Sequence, residues 1–508
     1  MLSKVKGLGI IGLTAFEIEV ETDIGSGLPK FDIVGLPDAA VKESRERVKS
    51  AIKNSGKRFP AGVVTVNLAP ADIKKEGAYL DLPIALGIVK ASSDIIKKDI
   101  SDYLFIGELS LDGKIRAVNG IMPLIISARV AGNEKFIIPY DNAEEAKYIE
   151  GTEVYACKSL NEAIGHLSGI APIEAVEHIE YVPASKREYS DDLKYVKGQA
   201  AAKRALEVAV SGGHNILLVG APGAGKTMLA RCIPSIMPDM SFSEALETTK
   251  IHSLTGVLKG GTGIVSERPF FTPHHTASNV ALIGGGSSAK PGVISLAHNG
   301  VLYLDEMPEY PRSALESLRQ PLEDRFVTVS RARMTVEYPA SFMLVGSMNP
   351  CPCGNYGSAN AECRCSASQI EKYRARISGP LLDRIDLQIE VDGVTYDDLA
   401  SKSDEECSAD VRKRVNRTRM IQRERFEEDG IRTNSEMKEK QLEKYCKLSS
   451  ESEAIMKMSF DSLGLSARGR SRILKVARTI ADMSLEENIL PEHILEAVGY
   501  RNFSFAKR

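Results

Sequence analysis

Two stretches of this sequence carry residue types that together handle a polyphosphate. The first, Gly220-Ala221-Pro222-Gly223-Ala224-Gly225-Lys226-Thr227, has the spacing GxxxxGK[ST]. The apolar run Asn215-Ile216-Leu217-Leu218-Val219 precedes it and the helix-prone Met228-Leu229-Ala230-Arg231 follows. Strand, glycine-rich turn and helix N-terminus in that order cradle phosphate with backbone N–H groups and the positive end of a helix dipole. Lys226 is placed to reach the β- and γ-phosphates of a nucleoside triphosphate, and the Thr227 hydroxyl to hold Mg²⁺. The second stretch, about 80 residues on, is Gly300-Val301-Leu302-Tyr303-Leu304-Asp305-Glu306. It reads as a buried strand ending in two carboxylates, Asp305 for the Mg²⁺ shell and Glu306 to polarise a water toward the γ-phosphate. Alone it would pass for an acidic turn; behind a phosphate loop it gains a task. Phe342 to Pro350 reads as a further strand, with Asn349 at its tip as a polar sensor of that water.

These residues need a scaffold, and 508 residues exceed what one core supports, so several domains are expected. The chain is 43% hydrophobic and 26% charged, the composition of a globular protein. Its apolar runs fall short of the roughly 18 residues of a membrane span, and Met1 to Lys6 leads into an alternating pattern unlike a signal peptide. A cytoplasmic location is expected. The net charge of −3 gives no whole-molecule field to attract nucleic acid, so any such contact must come from local patches.

Residues 1–170 read as an α+β domain with no phosphate loop of its own. Strands are expected at Ile10 to Ile24, Phe31 to Gly35, Val63 to Leu68 and Lys135 to Pro139, and a hairpin turning at Asp112-Gly113 over Leu104 to Val118. Helices are expected over Asp38 to Asn54, Leu82 to Ala91 and Pro123 to Val130. Lys75-Glu76-Gly77-Ala78-Tyr79-Leu80-Asp81 and Gly107 to Gly113 with Asn119-Gly120-Ile121-Met122 resemble the proteolytic domain of Lon-type proteases, within the ribosomal S5 domain 2-like superfold. Where the Lon pattern has its serine and lysine this chain has Tyr79 and Met122, so the acyl-transfer dyad is absent. A non-proteolytic role, in assembly or nucleic-acid contact, is expected.

Residues 171–190 read as a linker. Asp191 to Val210 follows a helix pattern with Gly198-Gln199 inside it, a lead-in that resembles AAA+ ATPases. That resemblance implies an α/β P-loop core over residues 191–400 and a C-terminal helical lid over 401–508. It also gives Arg384, in Leu381-Leu382-Asp383-Arg384-Ile385, the task of reaching a neighbouring subunit's γ-phosphate, worth about 10³–10⁵ in rate. Arg468, in Leu465 to Arg472, fits the second sensor, with Arg470 and Arg472 as solvated helix charges. Inserts at Thr262 to Gly292 and at the hairpin Arg325 to Pro339 resemble the magnesium-chelatase subunit I branch, whose wider clade includes MCM helicases. His274 and His275, in the first insert, should point opposite ways on an extended chain, which favours packing over metal binding. With the Lon-like domain in front, the chain resembles the ComM/YifB family over essentially its whole length. That resemblance implies a hexameric ring moving on DNA and promoting branch migration in recombination and natural transformation. A chelatase-type remodelling ATPase is the alternative, and an ATP-dependent protease a more distant one.

Cys351, Cys353, Cys363 and Cys365 form two CxC pairs that could close on a structural Zn²⁺. For DNA, bound without sequence preference, Arg331 and Arg333 at the tip of the second hairpin could line a pore. The basic run Arg412 to Arg419 is the other candidate.

Overall fold

The computed structural model describes residues 2–183, 189–258, 262–286, 289–331, 334–357, 362–393 and 405–501. The chain forms two compact units, Met1–Pro183 with Ser241–Ser266, and Ala184–Met240 with Glu267–Arg508.

Among the described residues, the first unit is built on a seven-stranded sheet. Its strands are β1 (Leu2–Ile11), β2 (Thr14–Gly25), β3 (Lys30–Val34), β4 (Val63–Ala69), β5 (Tyr103–Phe105), β6 (Lys135–Pro139) and β7 (Glu153–Cys157), in the order β3-β4-β2-β1-β5-β6-β7. Ile10 to Ile24 is not one strand. Gly12-Leu13 turns the chain, and Ile11 pairs with Thr14 to make β1 and β2 an antiparallel hairpin. Glycine at position 12 accepts the φ of 62° that the turn requires. The Asp112-Gly113 turn is present, but the hairpin around it is short, Glu108–Leu109 on Ile115–Arg116, because Tyr103–Phe105 leaves to join the main sheet. The helix Ala39–Asn54 is capped by the Asp38 carboxylate, which accepts from Val41 N at 2.7 Å. The helix Asp81–Ser92 is apolar nearly all round and lies in the core. Its first residue, Asp81, is fully buried and held by the Arg47 fork at 2.7 and 3.1 Å.

Two boundaries differ from the sequence reading. Residues 241–266, expected inside the motor, pack into the first unit: the helix Phe242–Thr255 sets Leu246 against its core, and Gly120 N donates to Ser253 O at 2.9 Å. Much of the expected linker also belongs there, since Val176 N donates to Val154 O and Ile179 N to Lys147 O.

The second unit carries β8 (Ile216–Val219), β9 (Phe270–Phe271), β10 (Val301–Leu304), β11 (Phe326–Arg331), β12 (Met334–Pro339), β13 (Met343–Met348) and β14 (Leu387–Glu390). Five of them make a parallel sheet in the order β9-β10-β13-β8-β14, while β11 and β12 form a separate hairpin. The helix expected from Asp191 begins only at Ala200, because Gly198 and Gln199 have φ of 64° and 58° and break the pattern. The lid helices Ser408–Arg425, Ser450–Leu463, Ala467–Met483 and Pro491–Gly499 share one apolar core with the sheet. Ser466 caps Ala467–Met483 by accepting from Gly469 N at 3.1 Å.

Candidate nucleotide site

The pocket is assembled where β8, β10 and β13 end side by side. Three parallel strands deliver Gly220, Asp305 and Asn349 to the same edge of the sheet. Past β8 the loop turns into the helix Lys226–Ile236 with Gly223 and Gly225 at φ of 79° and 89°, conformations a side chain strains against. A Cβ at either glycine would meet nothing within 4 Å, so the loop opens onto free space.

Lys226 is 9% exposed and its ammonium folds back on its own loop. It donates to Gly220 O at 2.7 Å, to Ala221 O at 2.9 Å and to Asn349 Oδ1 at 3.1 Å. Burial pulls its pKa down, opposed by Asp305 and Glu306. Three donors on weak carbonyl partners are ready to exchange them for phosphate oxygens.

Thr227 Oγ1 donates to Asp305 Oδ2 at 3.2 Å, and Tyr303 Oη donates to Asp305 Oδ1 at 2.8 Å. Against the cost of burial, hydrogen bonds from Ser347, Tyr303 and Thr227 hold the Asp305 carboxyl below its ordinary value. The hydroxyl and carboxylate fit Mg²⁺, whose octahedral shell at about 2.1 Å sets neighbouring oxygens about 3.0 Å apart. Bound there with a nucleotide, the ion would neutralise charge developing between the β- and γ-phosphates. Glu306 sits at φ 51°, a conformation that costs about 1–2 kcal/mol outside glycine. Its N–H is held by Ser347 Oγ at 3.1 Å, and its carboxylate is left exposed at the pocket.

The sequence reading missed Ser347 and Tyr303. Ser347 hydrogen-bonds Asp305 Oδ1 and anchors the Glu306 backbone. A signal existed: Ser347 lies two residues before Asn349, and strand alternation carried one residue past Met348 turns both the same way.

The structure brings Lys226, Thr227, Asp305, Glu306 and Asn349 together, and leaves Arg384, the expected in-trans arginine, at the other end of the sheet. Arg384 precedes β14, and Asn215, which precedes β8, donates to its carbonyl at 2.9 Å. It therefore lies at the N-terminal edge of the sheet, about 13 Å of strand from the phosphate loop. Its guanidinium is bonded to Glu323 and to Pro380 O. Arg468 is exposed in the first turn of Ala467–Met483. The Arg384 hydrogen bond first, then the charges of Arg384, Arg468 and Arg472, hold the Glu323 carboxyl below its usual range. Arg468 therefore lies on the Glu323 side, with Arg384. Arg472 is not a solvated charge: its side chain is 17% exposed and lies 3.7 Å from Asp386.

Other candidates resolve unevenly. The hairpin β11–β12 forms as expected, burying Val327, Val329, Val336 and Tyr338, and the Arg331 backbone pairs with Met334 at its end. Arg333 lies outside the described residues. In the helix Ser408–Arg425, Arg414 is committed to Glu207 and Glu406, and Arg419 donates to Val210 O, while Lys413 and Arg417 face solvent. His274 and His275 do not point apart: a turn brings their rings to 4.1 Å between centroids at a tilt of 33°, and His274 Nδ1 lies 2.8 Å from Thr276 Oγ1. In the first unit Tyr79 is half-buried and Met122 fully buried, side chains without the serine hydroxyl or lysine amine of a dyad. The four clustered cysteines do converge, their sulfurs all within 4.8 Å of one another.

A phosphate loop, an Asp-Glu strand end and a polar sensor on one parallel sheet, closed by a helical C-terminal region, define a P-loop ATPase of the AAA+ class. Residues 192–399 match the family model described as magnesium chelatase, subunit ChlI; residues 20–142 match subunit ChlI of Mg-chelatase, and 405–501 its C-terminal model. The chain is 42% identical to the competence protein ComM of Haemophilus influenzae over 97% of its length and 96% of that protein. It is also 42% identical to YifB of Escherichia coli, over 98% of this chain and 97% of the relative. A shorter likeness, 29% over 35% of each chain, is to Lon protease 2 of Bacillus subtilis. The chain belongs to the ComM/YifB family of magnesium-chelatase-like AAA+ proteins.

Proposed function

We propose that this protein is an ATP-driven DNA motor that works as a ring, a hexamer on the family resemblance, as a helicase or branch-migration factor in recombination. The observation that carries the ring is the position of Arg384. An arginine at the sheet edge opposite its own phosphate loop has no access to its own γ-phosphate, and a neighbour's pocket is the natural recipient. Lys226 and the loop amides bind the triphosphate, Thr227 and Asp305 hold Mg²⁺, Glu306 orients and deprotonates the attacking water, and Asn349 reports its position. Kinship with a protein named for competence supports DNA as the track and natural transformation as a setting.

The test is ATP turnover without DNA, with single-stranded DNA and with forked DNA, at two salt concentrations. DNA should stimulate turnover, and the stimulation should fall steeply with salt, as expected for phosphate-backbone contacts. Replacing Arg331 and Arg333 together by alanine should lower the stimulated-to-unstimulated ratio several-fold. Turnover indifferent to DNA, with no strand displacement, would overturn the motor reading and favour ATP-driven remodelling of a protein partner.

A further inference from the structure

The cysteine cluster lies against the nucleotide pocket. Cys351 follows the sensor Asn349 by two residues and is fully buried. Its sulfur lies 3.4 Å from that of Cys353 and 3.7 Å from that of Cys363, and the Cys353 and Cys363 sulfurs are 3.7 Å apart. A tetrahedral Zn²⁺ with bonds of about 2.3 Å sets its sulfur ligands about 3.8 Å apart. Disulfides, at about 2.05 Å, are excluded by these separations, and all four residues are free thiols. Four sulfur donors are a soft set that selects Zn²⁺ over Mg²⁺ or Ca²⁺.

The loop is also tied to its surroundings. Tyr356 N donates to Cys351 Sγ at 3.3 Å, the kind of outer contact that orients a metal ligand. Directly after Cys365, Ser366 caps the helix Ala367–Arg374. That helix ends with Arg374 donating to Pro350 O at 3.2 Å and lying 5.1 Å over the Tyr356 ring. On the pocket side, Gly354 has φ 82°, and a Cβ added there would come 2.4 Å from Pro222 Cδ in the phosphate loop. One short loop therefore touches the phosphate cradle and continues the strand that carries Asn349.

We propose that Cys351, Cys353, Cys363 and Cys365 bind a structural Zn²⁺ that positions the phosphate loop through Gly354 on Pro222 and the sensor through Asn349. The ion makes nucleotide affinity depend on metal occupancy. This rests on the reading of the pocket as a nucleotide site but not on DNA as its track.

The full chain, purified without chelator, should carry about one zinc by elemental analysis, with four cysteines protected from thiol reagents until a chelator is added. The Cys363→Ser, Cys365→Ser double variant should lose the zinc and bind a fluorescent ATP analogue about tenfold more weakly, the loss of one charge-assisted hydrogen bond. Gly354→Ala should keep the zinc and still weaken the analogue, which separates contact with the loop from unfolding. Lys226→Ala should keep the zinc and lose the analogue; if it bound normally, the nucleotide reading would fail while the metal site stood. A zinc-free parent with reactive thiols, or zinc loss with unchanged nucleotide affinity in the double variant, would overturn the proposal.

Discussion

Ser347 has no part in the phosphate-loop signature, yet it holds two pieces of the pocket at once. Its hydroxyl donates to Asp305 Oδ1 and accepts from the N–H of Glu306, whose backbone is strained. Hydrogen bonds to a charged group contribute about 1.5–3 kcal/mol, so Ser347→Ala should lower ATP turnover by about 10- to 100-fold. Because Lys226 and the loop amides are untouched, nucleotide affinity should stay near the parent's. Equal loss of binding and turnover would mean that Ser347 supports the fold of the loop and not the catalytic carboxylates.

At the level of elements, the sheet and the lid meet through a buried polar cluster. His214, just before β8, has Nδ1 3.4 Å from Asp386 Oδ2 and Nε2 2.8 Å from Thr479 Oγ1 on the lid helix Ala467–Met483. Against the cost of burial, His214, Arg472 and Lys475 hold the Asp386 carboxyl well below its ordinary range. Burial lowers the His214 pKa by more than Asp386 raises it, and His493 is shifted the same way by burial. These folded-state values lie below the unfolded value of about 6.5, so the unfolded chain binds more protons below that pH. The stability they contribute is complete above pH ~6.5 and is lost as pH falls toward the folded pKa values. The melting temperature of the second unit should therefore drop between pH 7 and pH 5. His214→Gln should flatten that dependence, and an undiminished slope in the variant would remove His214 from the account.

For the whole molecule the arrangement of arginines and pockets makes a complementation experiment decisive. Lys226→Ala spoils a protomer's own pocket, and Arg384→Ala spoils the one it is proposed to complete. Each variant alone should lose at least about 10³-fold in turnover, within the range an in-trans arginine supplies. Mixed together they should recover activity, since some interfaces pair an intact pocket with an intact arginine. No recovery from mixtures shown to co-assemble would remove Arg384 from the neighbour's pocket and with it the argument for a shared site.

Sequence by itself determined the pocket's chemistry, because Lys226, Thr227, Asp305, Glu306 and Asn349 are fixed to strand ends by local spacing and parallel strands carry local signals to one edge. It also determined the four-thiol cluster, short range along the chain, and most strands and helices of the first domain, whose alternation follows burial. Tertiary structure alone decided that Arg384 stands at the far end of the sheet from that pocket, since the parallel pairing of β14 with β8 sets the end on which a residue before β14 falls. It decided that Phe242–Thr255 belongs to the first unit, a matter of which apolar surface a helix finds and not of its place in the chain. It also turned Arg472 from an expected surface charge into a partner of the buried Asp386, because a helix face is inside or outside only once something packs against it.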